Sequence, residues 1–296
     1  MKVCVIFNPA ARGHKARHFR DHLAALASQC TLKPTYAAGA GRALAAEAVH
    51  EGYEVIVAAG GDGTVNEVLN GIGDEPEGLS RVRLGVLPLG TVNVFATELN
   101  LPPRFAAAWD VIQRGRDTLI DLGEAAFTLD GQPRRRLFAQ MAGAGLDSHA
   151  IELVDLEQKK RIGRFAYVVA GLKALQRPHP QIVVSDGQES RGGELVLIGN
   201  GRFYGGPFAL FPEADLRDGL LDVSVFPRVH WGAILRSGWG LLTRQLYSTG
   251  GVLRLRAAAL TLHCPTPIPF HVEGENVGPL PATFSIRRQA LRVMVP

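Results

Sequence analysis

The sequence predicts a two-domain α/β protein, in which a parallel sheet with helices on both faces is followed by a mainly antiparallel β domain. Three observations predict it. As far as Asp121, short β-rich runs alternate with helical patterns, which is how a parallel sheet buried on both sides reads. Beyond it, Asp130-Gly131, Asp186-Gly187 and Asp218-Gly219 punctuate β-branched or alternating runs, the mark of antiparallel hairpins. The chain is also long enough, at 296 residues with 46% hydrophobic and 20% charged, to bury two cores, and it is neither a disordered chain nor a disulfide mini-domain.

The elements follow in order. Val3–Phe7 is an apolar strand, Ala16–Ser28 a helix, Thr31–Tyr36 a strand, Arg42–Glu51 a helix and Val55–Ala59 a buried strand. Val65–Ile72 is a helix and Val82–Leu87 another apolar strand. In the second part Glu194–Ile198 and Leu220–Phe226 are strands. Two helical patterns interrupt them, Asp147–Gln176, broken near Gly163, and His230–Tyr247. The tail from Thr261 to Val295 is strand-like and proline-rich. The expected domains are 1–122 and 123–296, with the last strand able to return to the first.

Charge is nearly balanced, 32 Lys and Arg against 28 Asp and Glu, so nucleic acid is not expected as a partner. Cys4, Cys30 and Cys264 form no close pair, which suits a reducing compartment. The first apolar run is too short for a signal-peptide core, and no stretch approaches the roughly 18 residues of a membrane span. A cytoplasmic location is therefore expected.

Several common sites fail on spacing. No lysine precedes Ser or Thr, no His-Glu-x-x-His or Gly-x-Ser-x-Gly occurs, and neither Gly61-Asp62-Gly63 nor Gly39-Ala40-Gly41 continues to a third glycine of a dinucleotide fingerprint. The most informative segment is Gly60-Gly61-Asp62-Gly63-Thr64-Val65-Asn66-Glu67, between a strand and a helix. Its glycines allow close backbone approach, and the helix start offers free N–H groups and a positive dipole end, together a phosphate cradle. Thr64 and Glu67 also fit a capping box. Asp62 is unexplained by either reading, since a carboxylate among phosphates must hold a cation or take a proton. A second strand-turn-helix, Pro88-Leu89-Gly90-Thr91-Val92-Asn93, and the Asn8-Pro9 turn with Arg12 belong to the same sheet edge.

With these segments, Asp121 after a strand, Asp218-Gly219-Leu220-Leu221-Asp222 and Glu273-Gly274-Glu275, the chain resembles the diacylglycerol kinase catalytic-domain family, in its bacterial soluble lipid kinase branch, essentially end to end. The resemblance implies a Rossmann-like three-layer α/β nucleotide domain and a β-sandwich domain. Between them ATP would phosphorylate the hydroxyl of diacylglycerol or a related lipid. It implies that Asn8, Thr35, Gly61, Asp62, Gly63, Thr64, Val65, Asn66, Glu67 and Thr91 contact the nucleotide. Asp62 and Asp121 would serve the Mg²⁺ and phosphate network, Asp215, Asp218 and the Leu220 carbonyl a structural Mg²⁺, and Glu273 would be the proton acceptor.

Two positions depart from the family pattern. Val94 stands where the family's Gly-Thr-x-Asn motif continues with Asp, and Glu273 replaces the Asp of Asp-Gly-Glu. The first departure opens the alternative of a catalytically weak nucleotide- or lipid-binding protein, and the shared Gly60–Gly63 turn that of a kinase for a soluble acceptor such as NAD. Taken alone, Glu273-Gly274-Glu275 reads as a solvated hairpin turn between Ile268–Val272 and Thr283–Ile286, Arg134–Arg136 as a solvated hairpin tip, and Asp215, Asp218 and Asp222 as turn formers or a cation site. Lys159-Lys160-Arg161 and Arg164, ahead of Phe165, Val168, Val169, Leu172 and Leu175 at helical spacing, suit either a core-facing helix or peripheral, transient contact with an anionic membrane. The oligomeric state is open, a homodimer included.

Overall fold

The structure is a computed structural model describing residues 1–9, 19, 21–153, 175, 179–243, 245–249 and 251–296. The Arg12 turn, the start of the expected Ala16–Ser28 helix and the basic stretch from Lys159 to Leu172 lie outside the described residues.

β1 (Val3–Phe7), β2 (Thr31–Pro34), β3 (Val55–Gly60) and β4 (Arg83–Pro88) run parallel in the order β2-β1-β3-β4. Alternate residues serve two cores, as the pleat requires. Ile6, Ile56 and Ala58 pack with Ala45, Ala48, Val68 and Leu69 of the helices Ala40–His50 and Asp62–Asp74 on one face. On the other, Val5, Val57 and Ala59 pack with Phe105, Trp109 and Ile112 of the helix Phe105–Arg114. That helix ends where Gly115 turns left-handed at φ 71°.

The parallel sheet continues into the second half of the chain. β18 (Ala282–Met294) pairs parallel with β4 through Arg292 and Val293, and antiparallel with β5 (Asp117–Leu129) and β15 (Ala259–His263). β6 (Gln132–Phe138) joins β5, while β8 (Ile182–Ser185) and β9 (Ser190–Gly193) extend from β15. A second, antiparallel sheet has the order β14-β13-β10-β7-β16-β17, formed by β7 (Met141–Gly145), β10 (Leu195–Gly199), β13 (Leu221–Phe226), β14 (Leu253–Ala257), β16 (Pro269–Val272) and β17 (Glu275–Pro279). It packs on β5, β15 and β18 as a sandwich, with Phe270 edge-on to both Phe127 and Phe284 at 5.0 and 5.5 Å between centroids. β11 (Phe203–Tyr204) and β12 (Phe208–Ala209) form a small separate hairpin.

Several elements differ from expectation. The helix expected from Val65 begins at Asp62, because extended Gly61 (φ −94°, ψ −172°) is its N-cap in place of Thr64. Val272 turns back through Glu273-Gly274 into β17, not into Thr283–Ile286, which lies in the other sheet. His230–Tyr247 is two helices, Trp231–Leu242 and Leu246–Thr249. Only Leu146–Glu152 of the Asp147–Gln176 pattern is described as helix. Among the described residues no helix is long and apolar enough to cross a membrane.

Candidate active site

The site begins where β3 and β4 end. Both strands finish in glycine turns, and the turns interlock: Leu89 N and Gly90 N donate to Gly60 O at 3.0 and 3.2 Å. A Cβ on Gly90 would stand 2.5 Å from Gly61 Cα, so only glycine permits this approach. Asn93 sits left-handed at φ 57° and closes the second turn, its Oδ1 accepting from Gly90 N at 2.9 Å and its Nδ2 donating to Gly90 O at 2.8 Å. Asn tolerates that conformation better than most residues. Thr91 is left exposed at the rim. Asn8, directly after β1, and Thr35, whose N donates to Phe7 O at 2.8 Å, stand at the carboxyl ends of the neighbouring strands.

Asp62 opens its own helix and reaches across to the next one. Its Oδ1 accepts from Phe95 N at 3.2 Å, at the start of the helix Val94–Glu98. Burial pushes the Asp62 carboxyl above its usual value, against the pull of the backbone N–H groups of residues 93–95.

The other wall comes from the sandwich. Glu273 and Gly274 both adopt positive φ (51° and 77°), the backbone of a two-residue hairpin turn. Glu273 Oε1 accepts from Ala139 N and Gln140 N, each at 2.8 Å, and Glu273 N donates to Met141 O at 2.9 Å. Burial pushes the Glu273 carboxyl up to about 7; the N–H groups of Gln140 and Ala139 oppose the rise and the Asp62 charge adds to it. The hairpin touches the first glycine turn directly, since a Cβ on Gly63 would be 3.6 Å from Glu275 Oε1. Behind this wall His271 Nε2 pairs with Asp147 Oδ2 at 2.8 Å and the Tyr204 hydroxyl donates to Asp147 Oδ1 at 2.9 Å. Burial works against ionising Asp147, yet His271 and Tyr204 bring its pKa below the usual value.

Several expected site residues face elsewhere, and these are corrections. Val65 is in the core, Asn66 Nδ2 donates to Leu137 O at 3.0 Å, and Glu67 accepts from Gly39 N and Gly41 N at 2.9 and 2.8 Å. Glu67 therefore caps the helix Ala40–His50 in place of a capping box with Thr64. Asp121 is buried with both oxygens engaged, Oδ2 by Gly219 N at 2.7 Å and Oδ1 by Gln289 N at 2.6 Å. It fastens the Asp215–Leu220 loop to the irregularity in β18 between Arg287 and Leu291, with one backbone N–H on each oxygen.

The acids of the expected structural cation site lie among arginines. Asp215 Oδ1 accepts from Arg217 N and Nε at 3.0 and 3.3 Å, while Asp218 accepts from Leu220 N at 2.9 Å and pairs with Arg256 Nη2. Asp222 pairs with Arg254 and Arg256 at 2.7 and 3.2 Å. Guanidinium groups supply the positive charge that a cation would bring to these acids. Among the described residues no cluster of three or more His, Cys, Asp or Glu side chains could hold a metal ion.

Arg136 escaped the sequence reading. Arg134 and Arg135 are exposed, as a solvated tip requires, but Arg136 is half-buried at the crevice wall, 3.6 Å from Glu275, with Nε lacking a partner. The alternation of β6 could have signalled that Arg134 and Arg136 share a face, but not that β17 lies beside it.

Residues 2–125 match the Diacylglycerol kinase catalytic domain, and residues 140–295 the YegS C-terminal NAD kinase beta sandwich-like domain. The chain is 32% identical over 260 residues to the protein named Diacylglycerol kinase in Staphylococcus aureus (strain bovine RF122 / ET3-1), covering 85% of this chain and 78% of that one. The same figures hold for its counterpart in strain Newman. The crystal structure of a diacylglycerol kinase from Bacillus anthracis str. Sterne superposes with a TM-score of 0.77 at 21% identity, over 100% of this chain and 97% of that one, which establishes a shared fold. With both halves matched in sequence and the whole in fold, the chain belongs to the diacylglycerol kinase catalytic-domain family.

Proposed function

We propose that the protein is an ATP-dependent lipid kinase that transfers the γ-phosphate of ATP to the hydroxyl of diacylglycerol or a related lipid, working in the cytoplasm. The observation that carries this reading is the contact of the Glu273-Gly274-Glu275 hairpin with the first of two interlocked glycine turns, where a Cβ on Gly63 would be 3.6 Å from Glu275 Oε1, with the Glu273 carboxyl pushed up to about 7 by burial. The N–H groups of Gly61–Thr64 and the start of the 13-residue helix Asp62–Asp74 face the phosphates with the positive end of a helix dipole. Asn8, Thr35 and Thr91 complete the nucleotide side.

ATP brings its divalent cation, which we assign as Mg²⁺, and that ion neutralises phosphate charge when bound. Two half-buried carboxylates are hard oxygen donors whose charge such a cation would relieve, and in this reading Asp62 faces it. Glu273 takes the proton from the acceptor hydroxyl as that oxygen bonds to the γ-phosphorus and ADP leaves. The product is a lipid phosphate monoester. A base with a pKa near 7 is half ionised at neutral pH and still basic enough to accept the proton.

The test is incubation of the purified protein with γ-labelled ATP, Mg²⁺ and mixed micelles of diacylglycerol and related lipids. Labelled organic-soluble product is expected, and Asp62→Asn should lower its formation at least about a hundredfold. Absence of lipid product across the panel, or full turnover in that variant, would overturn the reading.

A further inference from the structure

Of the large hydrophobic side chains exposed among the described residues, four lie on one helix, Trp231–Leu242: Trp231 is 53% exposed, Leu235 71%, Trp239 67% and Leu242 69%. At 3.6 residues per turn they fall within about 80° of the helix circumference. One flank of the stripe is already used, with Ile234 and Leu241 packed into two small clusters. This is a full apolar stripe facing solvent, and tryptophan is the residue that prefers a boundary between water and hydrocarbon.

Charge selects the partner. From Val223 to Val272 the sequence holds five arginines and no acidic residue. Arg228, just before the helix, and Arg236, within it, are exposed and meet no carboxylate among the described residues. Basic residues flanking an exposed Trp and Leu stripe match an anionic lipid surface.

The helix is also coupled to the crevice. It packs against β12 of the small hairpin, whose Phe208 is exposed as well. At the hairpin's other end Arg202 donates from N and Nε to Glu98 at 2.7 and 2.8 Å, in the same short helix whose first turn Asp62 caps. A cavity of about 260 Å³, walled by Phe203, Ala209, Pro212 and Leu241, opens between hairpin and helix.

We propose that the helix Trp231–Leu242 is the face by which this protein docks on an anionic lipid bilayer, with Trp231, Leu235, Trp239 and Leu242 entering the headgroup boundary and Arg228 and Arg236 meeting lipid phosphates. The inference rests on the lipid kinase reading for its purpose, since an acceptor held in a bilayer must be reached at its surface. The expected basic docking stretch at Lys159–Leu172 lies outside the described residues, and none of the residues of this surface belongs to it.

Sedimentation with phosphatidylglycerol vesicles, compared with phosphatidylcholine vesicles, tests it. Trp109 is buried, so in a Trp109→Phe background the fluorescence reports Trp231 and Trp239 alone. Co-sedimentation and a blue shift with the anionic vesicles, both weakened by salt, are expected. Trp231→Ser/Trp239→Ser should bind them at least about tenfold more weakly, with unchanged turnover of a short-chain diglyceride dispersed as monomers. Should that variant misfold, Arg228→Glu/Arg236→Glu serves in its place, with the same loss expected. Undiminished vesicle binding by these variants would overturn the proposal, as would a dimer in sedimentation velocity that buries the tryptophans and ignores vesicles. Vesicle binding without any lipid product would sink the kinase reading and leave the docking face standing. Lipid turnover with docking unmoved by the substitutions would do the reverse.

Discussion

Replacing Glu273 by Gln separates chemistry from folding, because the two should move in opposite directions. Glu273 sits at about 7 instead of the usual 4.5, so the fraction able to accept a proton rises from about one tenth at pH 6 to about nine tenths at pH 8. The wild-type kcat/KM should therefore climb about tenfold over that interval, whereas an unperturbed carboxylate would leave it flat. The Gln variant should retain less than about one hundredth of the activity at every pH. Stability runs the other way. A carboxyl whose pKa is raised by folding binds its proton more tightly in the native state, so its contribution is full below pH 4.5 and is lost as pH rises through 7. The loss is about 3 kcal/mol at pH 8, at about 1.4 kcal/mol per tenfold change in proton affinity. Gln has no proton to lose and keeps an oxygen for Ala139 N and Gln140 N, so the variant's Tm should overtake the wild type by up to about 6 °C between pH 5 and pH 8. Labelled-phosphate transfer and calorimetry across that range measure both. A flat wild-type pH profile, or a Tm difference independent of pH, would show that burial of Glu273 is not what sets its chemistry.

Three other substitutions probe the frame of the site. Gly90→Ala places a Cβ 2.5 Å from Gly61 Cα and 2.7 Å from Asn93 Oδ1, so it should cost about 2–3 kcal/mol in urea unfolding and weaken nucleotide binding in titration calorimetry; wild-type affinity would contradict the interlocked turns. Asn70→Ala removes the bonds of Nδ2 to Leu137 O and of Leu137 N to Oδ1, at 3.0 and 2.9 Å, and strands a buried N–H at about 2–3 kcal/mol; an unchanged denaturation midpoint would speak against this seam between the halves. Arg256→Ala leaves Asp218 without its cation and Asp222 with Arg254 alone, at a cost of about 2–4 kcal/mol. If the arginines alone balance these acids, adding a chelator to the nucleotide-free wild type should leave its Tm unmoved, and a chelator-induced drop would place a metal in that loop.

What the sequence made legible was local. The parallel strands were readable because β1, β3 and β4 are buried on both faces and so are continuously apolar, and the glycine turns because chain geometry leaves only glycine at such approaches. The roles of Glu67, Asn66 and Asp121 were not readable, because each is fixed by a distant partner: Glu67 by Gly39 and Gly41, Asn66 by Leu137, Asp121 by Gly219 and Gln289. A carboxylate beside a glycine motif looks the same whether it meets a ligand or a neighbouring backbone N–H. The tail was misread for a related reason. Val272 and Thr283 both suit strands, and only the positive φ of Glu273 and Gly274 reveals that the chain reverses at once, which is also what brings a glutamate to the crevice.

The substitution of Val94 for the family's aspartate acquires a physical meaning from Asp62. The start of the helix Val94–Glu98 is an anion-binding end, and it is already filled, since Asp62 Oδ1 accepts from Phe95 N. A second carboxylate in that first turn would compete for the same N–H groups and repel Asp62, whose pKa burial already raises. Valine removes that repulsion. It leaves Asp62 and Glu273 to share the crevice with whatever positive charge the nucleotide carries in. Under the proposed function the triphosphate would meet the other helix start, at Gly61–Thr64, through backbone groups that carry no net charge. Under that proposal the departure from the family pattern would shift the work of holding a cation from the protein toward the nucleotide, while the proposed proton acceptor Glu273 and the Gly61–Thr64 turn keep their relation to each other.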